Sequence, residues 1–146
     1  MTANDLAEFL MVEDNPADVR LTREAFRDGN ILNTLHVVKD GVEAMAFLRR
    51  QGIYASMPTP ALIFLDLNLP RKNGREVLRE IKEDKELRKI PVIVLTTSSA
   101  ESDIVSSYAL HANAYVVKPI NVETFNLAIK EIDRFWNQTA VLPPPV

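Results

Sequence analysis

The sequence predicts an α/β domain with a five-stranded parallel sheet wound on both faces by helices, and three observations support this. Five short apolar runs alternate with five segments of helical period, the pattern of strands joined by crossover helices. Most of the runs are rich in β-branched residues or leucine, as strands buried on both faces should be. The chain has 146 residues, 47% hydrophobic and 25% charged, enough for one domain with a sizeable core and unlike a disordered or fibrous protein.

The first strand is predicted at residues 9–12. Asn15-Pro16 then supplies an N-cap and a first-turn proline for a helix that carries Val19, Thr22 and Phe26 on one face and ends at Gly29. A second strand at 35–38 leads to a helix from about residue 42 to residue 50. Residues 51–60 contain Pro58 and Pro60 and read as an irregular surface loop. After a third strand at 61–65, Gly74, Val77, Leu78 and Ile81 fall at i, i+3, i+4 and i+7 of a third helix. The fourth strand, 92–95, precedes a less apolar helix near 101–110. The fifth, 114–117, precedes a helix with Phe125, Ala128, Ile129, Ile132 and Trp136 on one stripe, long enough to cover the sheet and reach a partner. Residues 1–7 form an N-terminal tail, 8–138 the domain, and 139–146 a proline-rich tail expected to be extended or polyproline-like.

Composition excludes several functions. A net charge of −3 leaves no strong basic surface for nucleic acid. With no cysteine, neither disulfides nor thiolate metal ligation can hold the fold. No segment reaches the roughly 18 consecutive apolar residues of a membrane span, so no membrane association and a cytoplasmic location are expected.

In an open parallel sheet, ligands bind outside the carboxyl ends of the strands. Those ends read Glu13-Asp14, Asp66, Thr96-Thr97 and Lys118-Pro119 for strands one, three, four and five. Three carboxylates converging on one crevice stay ionised together only around a cation. Mg²⁺ suits them, because it takes oxygen ligands and is held by one or two carboxylates plus a phosphate oxygen. Asp14 and Asp66 would bind it directly and Glu13 through water, while the backbone carbonyl of Asn68 would complete the shell. Asp66 is best centred to attack phosphorus and form an acyl phosphate, with Lys118 and Thr96 facing the other phosphoryl oxygens. Each residue also has a plainer role: Asp66 or Asp14 as a turn former, Thr96 as a helix cap, Lys118 as a surface charge and Tyr115 as a core aromatic. The set is harder to explain that way than any single member.

The set resembles the receiver domains of two-component response regulators. It comprises Met11-Val12-Glu13-Asp14-Asn15, Leu65-Asp66-Leu67-Asn68-Leu69-Pro70 with Gly74 behind it, Val94-Leu95-Thr96, and Tyr115-Val116-Val117-Lys118-Pro119. The resemblance runs from about residue 9 to residue 136 and implies the flavodoxin-like (βα)₅ receiver fold. By it, Asp66 is the phosphoacceptor, Glu13, Asp14, Asp66 and Asn68 hold the metal, Thr96 is the switch hydroxyl, Lys118 the essential lysine, and Tyr115 the switch aromatic. It also implies a cis peptide at Lys118-Pro119 and output through the fourth helix, fifth strand and fifth helix. Glu13 stands where many receivers have Asp. Asp40-Gly41-Val42-Glu43-Ala44-Met45-Ala46-Phe47-Leu48, the Gly52-Ile53-Tyr54 loop, Gly74-Arg75-Glu76-Val77-Leu78 and Phe135-Trp136 are similar to the regulators partnered with bacterial, especially cyanobacterial, phytochromes. That implies a light-sensing histidine kinase as phosphodonor and a homodimer through the same output face.

Three rival readings are weaker. A haloacid dehalogenase-type phosphatase needs a second Asp two residues after the nucleophile, where Asn68 stands. A flavodoxin-like cofactor binder needs a Gly-rich loop where Asp14-Asn15-Pro16 stands. A degenerate receiver, working as a constitutive interaction module, does not need the intact residue set. His36 and His111 lack ligand-spaced partners and are assigned no role.

Overall fold

The computed structural model describes residues 6–144. Five strands alternate with five helices: β1 Phe9–Val12, α1 Pro16–Asp28, β2 Leu35–Val38, α2 Gly41–Leu48, β3 Leu62–Leu65, α3 Gly74–Glu83, β4 Val92–Thr96, α4 Glu101–Ala109, β5 Ala114–Val117 and α5 Val122–Asp133. All pairings are parallel and the strand order is β2-β1-β3-β4-β5. This is the flavodoxin-like receiver fold, and the chain reverses its direction of sheet growth between β1 and β3, where a crevice opens at the strands' carboxyl ends.

The pleat sends alternate side chains to two cores. Leu10 and Val12 of β1 join Ile63, Leu65, Val77, Leu78 and Ile81 under α2 and α3. On the other face Phe9 and Met11 join Phe64, Phe26, Phe125 and Ile129 under α1 and α5. There the Phe9, Phe26 and Phe64 rings meet edge to face, with centroids 6.1–6.5 Å apart.

The helix starts follow the capping residues. Asn15 accepts from Ala17 N, Asp40 from Glu43 N and Asn121 from Thr124 N, while Asn73 and Glu76 form a reciprocal capping box. The Asp40 cap starts α2 one residue before the expected 42, and the helix stops at Leu48 because Arg50 turns to φ 55°. The loop expected at 51–60 contains a single 3₁₀ turn, Gly52–Tyr54. α4 buries the fewest residues of the five helices, and Ser107 is its one fully buried residue.

α5 does not continue regularly to Trp136. It passes at Arg134–Thr139 into a π-helical turn, in which Trp136 is half-buried against the α1/α5 core and Phe135 is exposed. Leu142, in the proline-rich segment, is buried in that same core. Among the described residues no peptide bond is cis, so the cis Lys118-Pro119 bond implied by resemblance is trans here. Among the described residues no helix is long and apolar enough to cross a membrane.

Candidate functional site

The sheet register brings the strand-end residues together. Val12 of β1 lies opposite Leu65 of β3, so the next residues, Glu13 and Asp66, emerge side by side at the crevice. The ladder continues one step further, with Asp66 N donating to Val12 O (3.1 Å) and Lys118 N to Thr96 O (2.7 Å). β4 includes Thr96, one residue past its expected end, and this residue is wholly buried.

Lys118 is the hub. Its buried Nζ donates to Glu13 Oε1, to Asp18 Oδ2 (2.9 Å) and to Asp66 Oδ2 (3.0 Å). A lysine desolvated this far remains charged only with close carboxylate partners. Burial by itself lowers the Lys118 ammonium, but hydrogen bonds to Glu13 and Asp18 and the charges of Glu13 and Asp66 outweigh it and hold its pKa above the ordinary value. Glu13 is only 1% exposed, and burial pushes its carboxyl up to about 7. The Lys118 hydrogen bond opposes that rise and the Asp66 charge adds to it.

Glu13, Asp14 and Asp66 each offer an oxygen within 4.8 Å of the others. With Asp18 nearby, four carboxylates face a single ammonium, and that surplus negative charge on hard oxygen donors suits a divalent cation. The fit extends to exposure: Asp14 lies open to solvent beside the buried Glu13 and Asp66, leaving an entry path.

The turn after β3 is fixed by two contacts. Asp66 Oδ1 accepts from Asn68 N (3.1 Å), so the turn-forming role of Asp66 coexists with its place in the cluster. Gly74, the first residue of α3, packs so tightly that a Cβ would lie 2.2 Å from the Asp66 carbonyl oxygen. Only glycine permits this approach, which sets the start of α3 against the Asp66 turn. Asn68 is exposed beside the cluster.

Thr96 does not cap α4; the N-cap is Ala100, which has no side-chain hydrogen bond. The Tyr115 hydroxyl instead donates to Ser98 O (2.9 Å), while its ring packs against the α2/α3 core. Asp18 was absent from the sequence-based set, although Pro16 at the first helical position already placed it in the first turn, next to the crevice. His36 pairs with Glu8 at 2.9 Å and takes no part in the cluster.

Comparison with known proteins agrees with this fold. The response regulator receiver domain family matches residues 9–130. Response regulator Rcp1 of Synechocystis sp. is 48% identical over 134 residues, which cover 92% of this chain and 91% of that protein. The crystal structure of the phosphorylated cyanobacterial phytochrome response regulator RcpA superimposes with a TM-score of 0.91 at 49% identity, over 95% of this chain and 99% of that one. The Mn²⁺-bound form of Rcp1 gives 0.90 at 47% identity, over 94% and 99%. A domain-wide match, together with a strand-end acid cluster bound to a lysine, means that this chain belongs to the response regulator receiver family.

Proposed function

We propose that the chain is a phosphorylation switch in which Asp66 accepts a phosphoryl group from a sensor histidine kinase in a Mg²⁺-dependent reaction. The observation that carries this reading is the Lys118 ammonium joined to both Asp66 and Glu13 at the switch point of the sheet. A carboxylate oxygen of Asp66 attacks phosphorus, an oxygen–phosphorus bond forms as the phosphorus–nitrogen bond breaks, and the donor imidazole leaves with its electron pair. Lys118 neutralises charge on the incoming group, and the Thr96 hydroxyl donates to another of its oxygens. Asp14, Asp66 and the Asn68 carbonyl, with Glu13 through water, would hold Mg²⁺, which would supply charge neutralisation at the phosphoryl oxygens when bound.

The donor we propose is a phytochrome kinase, supported by the similarity to RcpA, described as a cyanobacterial phytochrome response regulator. We assign the receiver function to residues 8–138. Output runs through α4, β5 and α5, where Val105, Tyr108, Val117 and Leu127 are exposed, and this face pairs with a second copy. The protein works as a signalling module in the cytoplasm, catalysing only its own phosphorylation and dephosphorylation.

Incubation with acetyl phosphate and Mg²⁺, followed by intact mass, tests the reading. A base-labile phosphoryl adduct is expected in the wild type and absent from Asp66→Asn and from metal-free samples. No adduct from acetyl phosphate or from histidine-kinase donors would instead favour a constitutive interaction module.

A further inference from the structure

α4 is weakly held by packing. Its N-cap makes no side-chain hydrogen bond, and its one fully buried residue, Ser107, has a hydroxyl without a hydrogen-bond partner. Polar contacts to α3 replace the missing apolar anchor. Arg75, the second residue of α3, pairs through its guanidinium with Asp103 in the first turn of α4, and its Nε donates to Ser106 Oγ (3.4 Å). The other Asp103 oxygen accepts from Ser98 Oγ (2.5 Å). Ser98 in turn receives the Tyr115 hydroxyl on its carbonyl (2.9 Å), and its own N–H points to Thr96 Oγ1 (3.5 Å). One polar chain thus runs from Arg75 through Asp103 and Ser98 to both proposed switch residues. It starts beside Gly74, which abuts the Asp66 carbonyl.

We infer that Arg75 and Asp103 are positioning residues: their ion pair latches the β4–α4 connection, and through Ser98 fixes the positions of Thr96 and Tyr115. This inference rests on the proposed phosphorylation of Asp66 for its consequence, but not for the latch itself. A bound phosphoryl group can draw the Thr96 hydroxyl towards it only if the Ser98 segment yields, so the latch sets part of the cost of switching. Arg75 is about half exposed. Its replacement leaves both cores untouched.

The test compares wild type, Arg75→Ala, Asp103→Asn and the charge swap Arg75→Asp/Asp103→Arg by amide hydrogen exchange, without phosphodonor. Both single variants should exchange roughly three- to fivefold faster across residues 97–106, matching the worth of one partly exposed ion pair, with β1 and β3 unchanged. The charge swap should restore slow exchange. Wild-type exchange in both single variants would overturn the latch. In a second arm, acetyl phosphate and Mg²⁺ should label Arg75→Ala faster than wild type; labelling at or below the wild-type rate, with a loosened 97–106 segment, would overturn its coupling to the switch. If the wild type takes no label, the phosphoacceptor reading fails while the exchange arm still judges the latch.

Discussion

Lys118 pairs with Glu13, Asp18 and Asp66 at once, so its replacement exposes both halves of the account at the scale of a single residue. Lys118→Met leaves buried carboxylates facing one another, and should cost about 3 kcal/mol in urea denaturation without metal, as broken buried ion pairs do. The same variant should label about 10²-fold more slowly, the loss typical of removing one electrostatic stabiliser. Full stability together with full labelling would show that Lys118 is a bystander. The meeting of Glu13, Asp66 and Lys118 was legible in the sequence because strand ends converge by topology alone. Asp18 was not: it lies on a helix, and whether its carboxylate faces the crevice or solvent depends on how α1 is rotated on the sheet. The trans Lys118-Pro119 bond was misread because a proline after a lysine permits either isomer locally.

Among the helix starts, that of α1 was read from its cap, Asn15-Pro16. Asn73 and Asn121 cap α3 and α5 in the same way, but those helices were read from their apolar stripes alone. The end of α5 was read less well, because Ile132 and Trp136 keep helical spacing right through the π turn. A distant contact accompanies that turn: the Asn137 amide donates to Asn33 Oδ1 and Asp133 Oδ1, each at 2.7 Å. The 3₁₀ turn after α2 is tied back by the Tyr54 phenol, which donates to Glu43 Oε1 (2.9 Å). Burial, then the Glu43 hydrogen bond and charge, push this phenol up to about 12. A raised folded-state value means that the Tyr54 contribution to stability is complete below the free phenol value near 10 and is lost as pH rises through about 12. Ultraviolet titration should show a phenol ionising near pH 12 in the wild type that is missing from Tyr54→Phe. Its persistence in that variant would assign the late titration elsewhere.

For the whole molecule, the alternation of apolar runs with helical periods foretold the parallel (βα)₅ order, because a buried parallel strand and its crossover helix each leave a periodic trace. Burial of Leu142 left no such trace, since a Leu followed by three prolines reads equally as a solvated tail. Its side chain fills the α1/α5 core. Leu142→Ala should therefore cost about 2 kcal/mol, at the low end for a buried leucine. An unchanged urea midpoint would place the segment outside the cooperative unit.

The central claim is that Asp66, among the clustered carboxylates, becomes the acyl phosphate. Borohydride reduction of protein treated with acetyl phosphate and Mg²⁺, followed by peptide mass spectrometry, reads this directly, because an acyl phosphate of aspartate is reduced to homoserine while a free carboxylate is untouched. The account predicts homoserine at position 66, dependent on both phosphodonor and Mg²⁺. Reduction at Asp14 or Asp18 in place of Asp66, or at none of them, would contradict it.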